Sequence, residues 1–112
     1  AGDVNVLAMR IEDGTADSLR GLSDMLRDKA PNLVCVLALV NEEDGKINFA
    51  ASCGKEAMAK GAHAGNILKQ VAKLCGGGGG GRPDSATAGG RDASKLENAL
   101  EQVNNIVESM LK

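Results

Sequence analysis

Six consecutive glycines, residues 76–81, run directly into Arg82, Pro83 and Asp84. Because glycine has no Cβ, such a run exposes main-chain N–H groups to close approach by a ligand. Successive N–H groups form concavities that bind anions, and the planar fork of an arginine suits a phosphate. The segment therefore predicts a phosphate-binding surface. A flexible linker is the alternative that a glycine-rich composition leaves open.

Basic residues are concentrated around this tract. Residues 53–91 have six basic side chains against two acidic ones, whereas residues 1–52 and 92–112 carry net charges of −4 and −2. Neutralising phosphates with Lys and Arg is how proteins gain sequence-independent affinity for nucleic acids. The distribution predicts a polyanionic partner, although each lysine taken alone could be an ordinary solvated side chain.

The predicted contacts to nucleic acid combine main-chain N–H groups with these cations. Since Phe49 is the only aromatic residue, base-stacking platforms are not expected, and the contacts should be made to phosphate and sugar. The predicted contact residues are Gly76, Gly77, Gly78, Gly79, Gly80, Gly81, Arg82, Lys69, Lys73, Lys55, Lys60, His63 and Arg91.

Two of the neighbouring polar residues need separate interpretation. His63, the single histidine, is either an ordinary satisfied histidine or a ligand contact near the start of a helix, where the N-terminus attracts phosphate. Asp84 is expected to order the loop, because a carboxylate that faced RNA would repel it. Gly89 and Gly90 are expected to be required by the conformation of the main chain.

The sequence has no recognisable catalytic constellation. A phosphate-binding P-loop needs Lys and Ser or Thr after the glycines, and a dinucleotide fingerprint needs a strand before them. Cys35, Cys53 and Cys75 are 18 and 22 residues apart, which fits neither a disulfide framework nor a zinc site. We therefore predict no metal and no cofactor in this chain, a reducing, cytoplasmic location, and no membrane contact.

The elements that position these residues follow the order β-α-β-β-α-β-α, which predicts an α/β fold with helices packed on a mixed sheet. Strands are predicted at residues 4–9, 33–40, 47–53 and 84–90, the last of them an edge strand. Helices are predicted between Thr15 and Pro31, at residues 62–74, and from a capping box at Ser94 onward. The glycine tract itself has no assignable pattern, apart from Gly76 as a left-handed helix cap.

Residues 76–96 resemble the signature of the C-terminal domain of alanyl-tRNA synthetase, a domain of the DHH-associated type. The shared features are the glycine tract, Arg82-Pro83-Asp84, the small-residue strand ending at Gly89-Gly90, and a capped final helix. The order of the preceding elements matches as well. Bacterial members often carry Lys within the tract, where this chain has only glycine. Related oligonucleotide phosphoesterases follow the glycines with His rather than Arg82.

This resemblance implies a single domain, residues 1–112, that is part of a larger synthetase. It would bind the elbow of tRNA(Ala), so that aminoacylation and editing act on the same tRNA. The N-terminal aminoacylation and editing domains would be its partners and would hold ATP, magnesium and zinc, while this chain alone would be inert.

Two alternatives remain open on the sequence. One is the substrate-binding domain of a DHH-type oligonucleotide phosphoesterase. The other is a self-association module, a homodimer in which the apolar stripe from Leu96 to Met110 is shared between subunits. Such a stripe more commonly packs against the chain's own core.

Overall fold

The computed structural model describes residues 4–11, 14–41 and 45–111. The described residues form five strands and four helices, with a short 3-10 turn, Ala93–Lys95, before the last helix. The elements are β1 (Asn5–Ile11), α1 (Ala16–Lys29), β2 (Leu33–Val40), β3 (Ile47–Cys53), α2 (Lys55–Ala59), α3 (Ala64–Leu74), β4 (Gly78–Gly81), β5 (Ser85–Gly90) and α4 (Leu96–Met110).

The strands form one mixed sheet in the order β1-β2-β3-β5-β4. β1 and β2 are parallel, and the other neighbouring pairs are antiparallel. The predicted α/β class with a mixed sheet is therefore confirmed. Two elements are additional to the predicted order: the short helix α2 and the glycine strand β4.

Helices cover both faces of the sheet. On one face, Leu19 of α1 packs with Cys35, Leu37 and Leu39 of β2 and with Ala50 of β3. On the opposite face, α3 and α4 pack against the alternate residues of the same strands. Residues 34–39 are buried throughout, as the unbroken apolar run of β2 predicts for a strand covered on both sides.

The ends of α1 follow the signals in the sequence. The Thr15 side chain accepts a hydrogen bond from the Ser18 N–H at 3.1 Å, and the Thr15 N–H donates to Ser18 Oγ at 2.8 Å. This reciprocal pair is a capping box, formed with Ser in place of the usual Glu or Gln. The helix ends at Lys29, because the residue that precedes Pro31 is pushed out of helical geometry.

Two predictions about the C-terminal third are wrong. β5 is an inner strand, because it pairs with β3 on one side and with the glycine strand β4 on the other. Ser94 does not cap α4, which begins after Lys95 without a side-chain cap. The side-chain cap in this segment is Asp92, whose carboxylate accepts from the Ser94 N–H at 3.1 Å at the start of the 3-10 turn. The 3-10 turn that follows Asp92 delays the start of α4 to Leu96.

Candidate nucleic-acid interface

The glycine tract begins as a helix cap. Gly76 has a φ of 73°, as predicted for a left-handed cap after α3. Its N–H donates to the Lys73 carbonyl at 3.1 Å, and the Gly77 N–H donates to the Ala72 carbonyl at 2.8 Å. These two bonds make a Schellman motif. The N–H groups of Gly76 and Gly77 are therefore already engaged within the protein.

The rest of the tract is the outermost strand of the sheet, not a linker. The Arg82 N–H donates to the Ser85 carbonyl at 3.1 Å and closes the hairpin between β4 and β5. Bonded and non-bonded pairs alternate along an antiparallel ladder, so Gly78 and Gly80 direct their N–H groups toward β5. Gly79 and Gly81 direct theirs away from β5, and Gly65 of α3 packs against the main chain of Gly81 on that side. Of the six amides predicted to bind phosphate, that of Gly79 thus faces the open edge.

Close packing explains several of the glycines. A Cβ on Gly77 would stand 1.9 Å from the Gly89 carbonyl oxygen, and one on Gly79 would stand 2.4 Å from the Ala88 Cβ. By contrast, a Cβ on Gly78 would meet nothing within 4 Å. The tract is therefore required partly by the packing of its own sheet, in addition to any contact with a ligand.

The start of α3 docks on the hairpin that follows the glycines. The Ala64 N–H donates to the Pro83 carbonyl at 2.9 Å, and the Gly65 N–H donates to the Arg82 carbonyl at 3.2 Å. His63 caps the helix, with Nδ1 accepting from the Asn66 N–H at 3.0 Å. These three helix amides are thus bonded within the protein. A contact between His63 and a ligand would use Nε2, and it stays a prediction.

The predicted cations fall into two groups along α3. The hairpin group is Arg82, with Lys55 of α2 and Lys60 just after it, at the end of the sheet where β3 leads into α2. Lys60 lines a cleft there with Asn32 and Glu56, and His63 lies at the same end, where α3 begins. The distal group is Lys73 and Arg91, since the Arg91 N–H donates to the carbonyl of Cys75 just beyond α3 at 2.9 Å.

Lys69 lies between the two groups on the exposed side of α3, four residues before Lys73. Residues four apart on a helix are neighbours, so the two lysines point the same way, as the sequence predicts. No Asp or Glu occurs in α3. The exposed side of α3 is consequently a basic surface that spans the distance between the hairpin group and the distal group.

Two open clefts adjoin the glycine strand. Arg91 lines one of about 610 Å³ together with Lys46 and Gly76–Gly78. The other, of about 470 Å³, lies beside α1 and is lined by Arg20, Asn48, Thr87 and glycines of β4 and β5. Sequence analysis missed Arg20 and Lys46, because both are single cations within the acidic part of the chain.

Asp84 orders the hairpin by pairing with two arginines. Its Oδ1 lies 3.3 Å from Arg82 Nε, and its Oδ2 accepts from Arg82 Nη2 at 3.4 Å. On the other side, Arg27 Nη1 lies 3.8 Å from Oδ2 and donates to the Asp84 carbonyl at 3.3 Å. The role expected for Asp84 is thus borne out, and Arg27 is a participant that no motif signalled.

Three further observations concern metal ligands, membrane spans and thiols. Among the described residues, no group of three or more His, Cys, Asp or Glu side chains is placed to hold a metal ion. No helix in the described parts of the chain is long and apolar enough to cross a membrane. The three cysteines are free and buried, and burial raises the pKa of Cys35 to about 11 and of Cys53 to about 12.

Comparison with known proteins identifies relatives over nearly the whole chain. The DHHA1 domain model matches residues 3–109. Alanine–tRNA ligase of Desulforamulus reducens is 46% identical over 112 residues, and that of Alkaliphilus oremlandii is 44% identical over 110. These matches cover 100% and 98% of this chain but only 12% of each ligase.

A solved structure agrees with these relatives. The C-Ala domain of Aquifex aeolicus alanyl-tRNA synthetase superimposes with a TM-score of 0.85 and 34% sequence identity. The superposition covers 95% of this chain and 93% of that domain. The likeness therefore extends over one complete domain of known structure, as well as over a short part of each ligase.

Proposed function

The chain belongs to the DHHA1 domain family, in the form of the C-Ala domain of alanyl-tRNA synthetases, and on that premise we propose that it binds tRNA(Ala) as the C-terminal domain of an alanine–tRNA ligase. The observation that carries the proposal is the exposed edge of β4 beside exposed cations. Gly79 directs its N–H group outward there, and Arg82 lies nearby with a side chain that is 80% exposed.

Binding would proceed through the phosphate backbone. The outward N–H group of Gly79 and the guanidinium of Arg82 would donate to phosphate, while Lys69 and Lys73 add charge from the exposed side of α3. With one aromatic residue, which is buried, the domain has little means to stack on bases. Recognition would therefore follow the shape of the tRNA rather than its sequence, and affinity would fall steeply as salt rises.

The remaining activities of such a ligase belong to the proposal as well. Residues 1–112 would form one domain, and the aminoacylation and editing domains, with their ATP, magnesium and zinc, would occupy other parts of the protein. The domain would help both sites to act on one tRNA. Three free cysteines support a reducing, cytoplasmic location.

The alternatives have less support. The relatives reported above are ligases, which does not favour the substrate-binding domain of an oligonucleotide phosphoesterase. The apolar stripe of α4 is occupied by the chain's own core, since Leu96, Val103 and Val107 are buried against it. A homodimer through this region stays a prediction, to be tested by sedimentation.

Binding of a tRNA(Ala) transcript over a range of salt concentrations tests the proposal. Arg82→Ala and the double variant Lys69→Ala/Lys73→Ala should weaken binding while leaving the Tm nearly unchanged. Each lost phosphate contact should reduce the slope of log K against log salt by about one. Arg10→Ala, on β1 at the opposite edge of the sheet, is the control for loss of one positive charge. Wild-type affinity of both Arg82→Ala and Lys69→Ala/Lys73→Ala at low salt would contradict the proposed surface.

A further inference from the structure

The guanidinium of Arg82 is held along one of its edges. Its Nε lies 3.3 Å from Asp84 Oδ1, and its Nη2 donates to Asp84 Oδ2 at 3.4 Å. An arginine has five N–H donors in a fixed plane, so this pairing leaves Nη1 and the second hydrogen of Nη2 unused. The Arg82 side chain is 80% exposed against 32% for Asp84, and the unused edge is therefore the one available to a ligand.

The carboxylate that holds Arg82 is itself held from α1. Arg27, with a side chain only 22% exposed, donates to the Asp84 carbonyl at 3.3 Å and lies 3.8 Å from Oδ2. Asp24 of the same helix accepts from Ser85 Oγ at 3.1 Å, at the next residue of the hairpin. Since α3 also binds the Arg82 and Pro83 carbonyls, the hairpin is fixed from both faces of the sheet.

We propose that Asp84 and Arg27 are positioning residues for the nucleic-acid contact: together they fix Arg82 so that its Nη1–Nη2 edge meets a phosphate. This inference rests on the proposed function, in which Arg82 touches the tRNA. A long side chain loses rotamer freedom when a ligand immobilises it, and prior immobilisation reduces that cost. Bidentate contact with a phosphate also depends on the orientation of the guanidinium plane.

Charge alone predicts that a variant without the Asp84 carboxylate binds RNA more tightly, which is opposite to the effect of lost positioning. Removing a carboxylate beside bound RNA removes repulsion, and should tighten binding. That repulsion weakens as salt rises, because phosphates farther from Asp84 than the Debye length, about 8 Å at physiological ionic strength, are largely screened, whereas the orientation of Arg82 depends on direct hydrogen bonds. Near physiological salt, loss of positioning should outweigh loss of repulsion, and the sign of the effect separates the two explanations.

The variant Asp84→Asn therefore decides between them. Near physiological salt it should weaken binding of the tRNA(Ala) transcript by about two- to tenfold, the range expected when one side chain loses its preorganisation. Glu56→Gln in α2 is the matched control, because it removes an exposed negative charge that makes no contact with Arg82 in the described structure. It should leave binding unchanged or slightly tighter. Arg27→Gln, which removes the support of Asp84, is the second variant and should weaken binding in the same way.

A double-mutant cycle separates positioning from general loosening of the hairpin. In an Arg82→Ala background, Asp84→Asn should cause no further weakening, because its effect acts through Arg82. If Asp84 had a purely structural role, Asp84→Asn would weaken binding in both backgrounds, and this result would overturn the inference. So would Asp84→Asn binding as tightly as wild type while Arg82→Ala binds weakly, and this result would leave the proposed function intact. Wild-type binding by Arg82→Ala would refute the Arg82 contact itself, and the positioning with it.

Discussion

Gly65 at the start of α3 lies directly against Gly81 of the strand β4. A Cβ placed on Gly65 would stand 2.4 Å from the Gly81 carbonyl oxygen and 2.8 Å from its nitrogen. No real Cβ approaches main-chain atoms so closely. The two glycines therefore allow a helix and a strand to meet main chain to main chain, and the N–H of Gly65 can reach the Arg82 carbonyl as a result.

Gly65→Ala should consequently destabilise the domain. Neither main chain can move without breaking the bonds between α3 and the hairpin, so we expect a loss of about 1–3 kcal/mol in the free energy of unfolding, typical of overpacking. Gly21→Ala is the matched control, since it lies in α1 with nothing within 4 Å of the added Cβ. It should raise the free energy of unfolding by up to about 1 kcal/mol. Urea unfolding measures both, and equal effects would contradict the packing argument.

The glycine strand offers a second matched pair. Gly79→Ala places a Cβ 2.4 Å from the Ala88 Cβ and should lower the Tm, because β4 must then separate from β5. Gly78→Ala, one residue earlier, meets nothing within 4 Å and should leave the Tm nearly unchanged. Thermal unfolding followed by circular dichroism compares the two. A tolerated Gly79→Ala would mean that β4 is not paired in the register described.

Regular elements with a clear pattern were predicted closely from the sequence. β2 and β3 have the predicted bounds, because an unbroken apolar run and an alternation of residue types both indicate strands. The half-buried character that the alternation predicts for β3 is wrong, since both of its faces are buried. β4 could not be predicted, since periodicity requires side chains and glycine has none. α2, of five residues, is too short to show a helical period. β5 is wrongly predicted as an edge strand, because its outer neighbour, β4, could not be predicted from the sequence.

Some features of the candidate site could also be predicted from the sequence, and others could not. The exposed Lys69 and Lys73 follow from helical spacing, and the left-handed cap at Gly76 follows from glycine chemistry. The ladder that engages two of the four amides of β4 depends on strand pairing. The contact of Arg27 with Asp84 joins residues 57 apart in the chain, and no local pattern reports such a contact.

The three thiols should be unreactive in the folded protein. Burial raises the pKa of Cys35 to about 11 and that of Cys53 to about 12, and burial raises the pKa of Cys75 too. Because the thiolate is the nucleophile, Ellman's reagent at about pH 8 should label none of them rapidly in the native state. All three should react in guanidinium chloride. Rapid native-state labelling of any one would show that its burial is incomplete.

The Asp92 cap should make stability depend on pH in a defined direction. Hydrogen bonds from the Ser94 hydroxyl and main chain lower the pKa of the Asp92 carboxyl below its ordinary value of 3.8. A carboxyl whose pKa is lower when folded stabilises the protein above its unfolded pKa and loses that effect as pH falls through the folded pKa. The difference in free energy of unfolding between wild type and Asp92→Asn should be constant above about pH 5 and shrink below about pH 4. Urea unfolding across this range measures it, and a difference that grew on acidification would contradict the cap.

The two groups of cations should contribute independently to tRNA binding. Arg82 is bonded to the start of α3 and Arg91 to the residue just beyond its end, so about 15 Å separates their main chains, given the rise of an α-helix. This exceeds the Debye length at physiological salt, and the two residues share no partner among the described ion pairs. The losses of binding energy for Arg82→Ala and Arg91→Ala should therefore add in the double variant to within about 0.5 kcal/mol. Titration of the tRNA(Ala) transcript against the four proteins of this cycle provides the measurement. Wild-type binding by Arg91→Ala would confine the RNA to the hairpin end, whereas strong non-additivity would contradict the independence of the two groups.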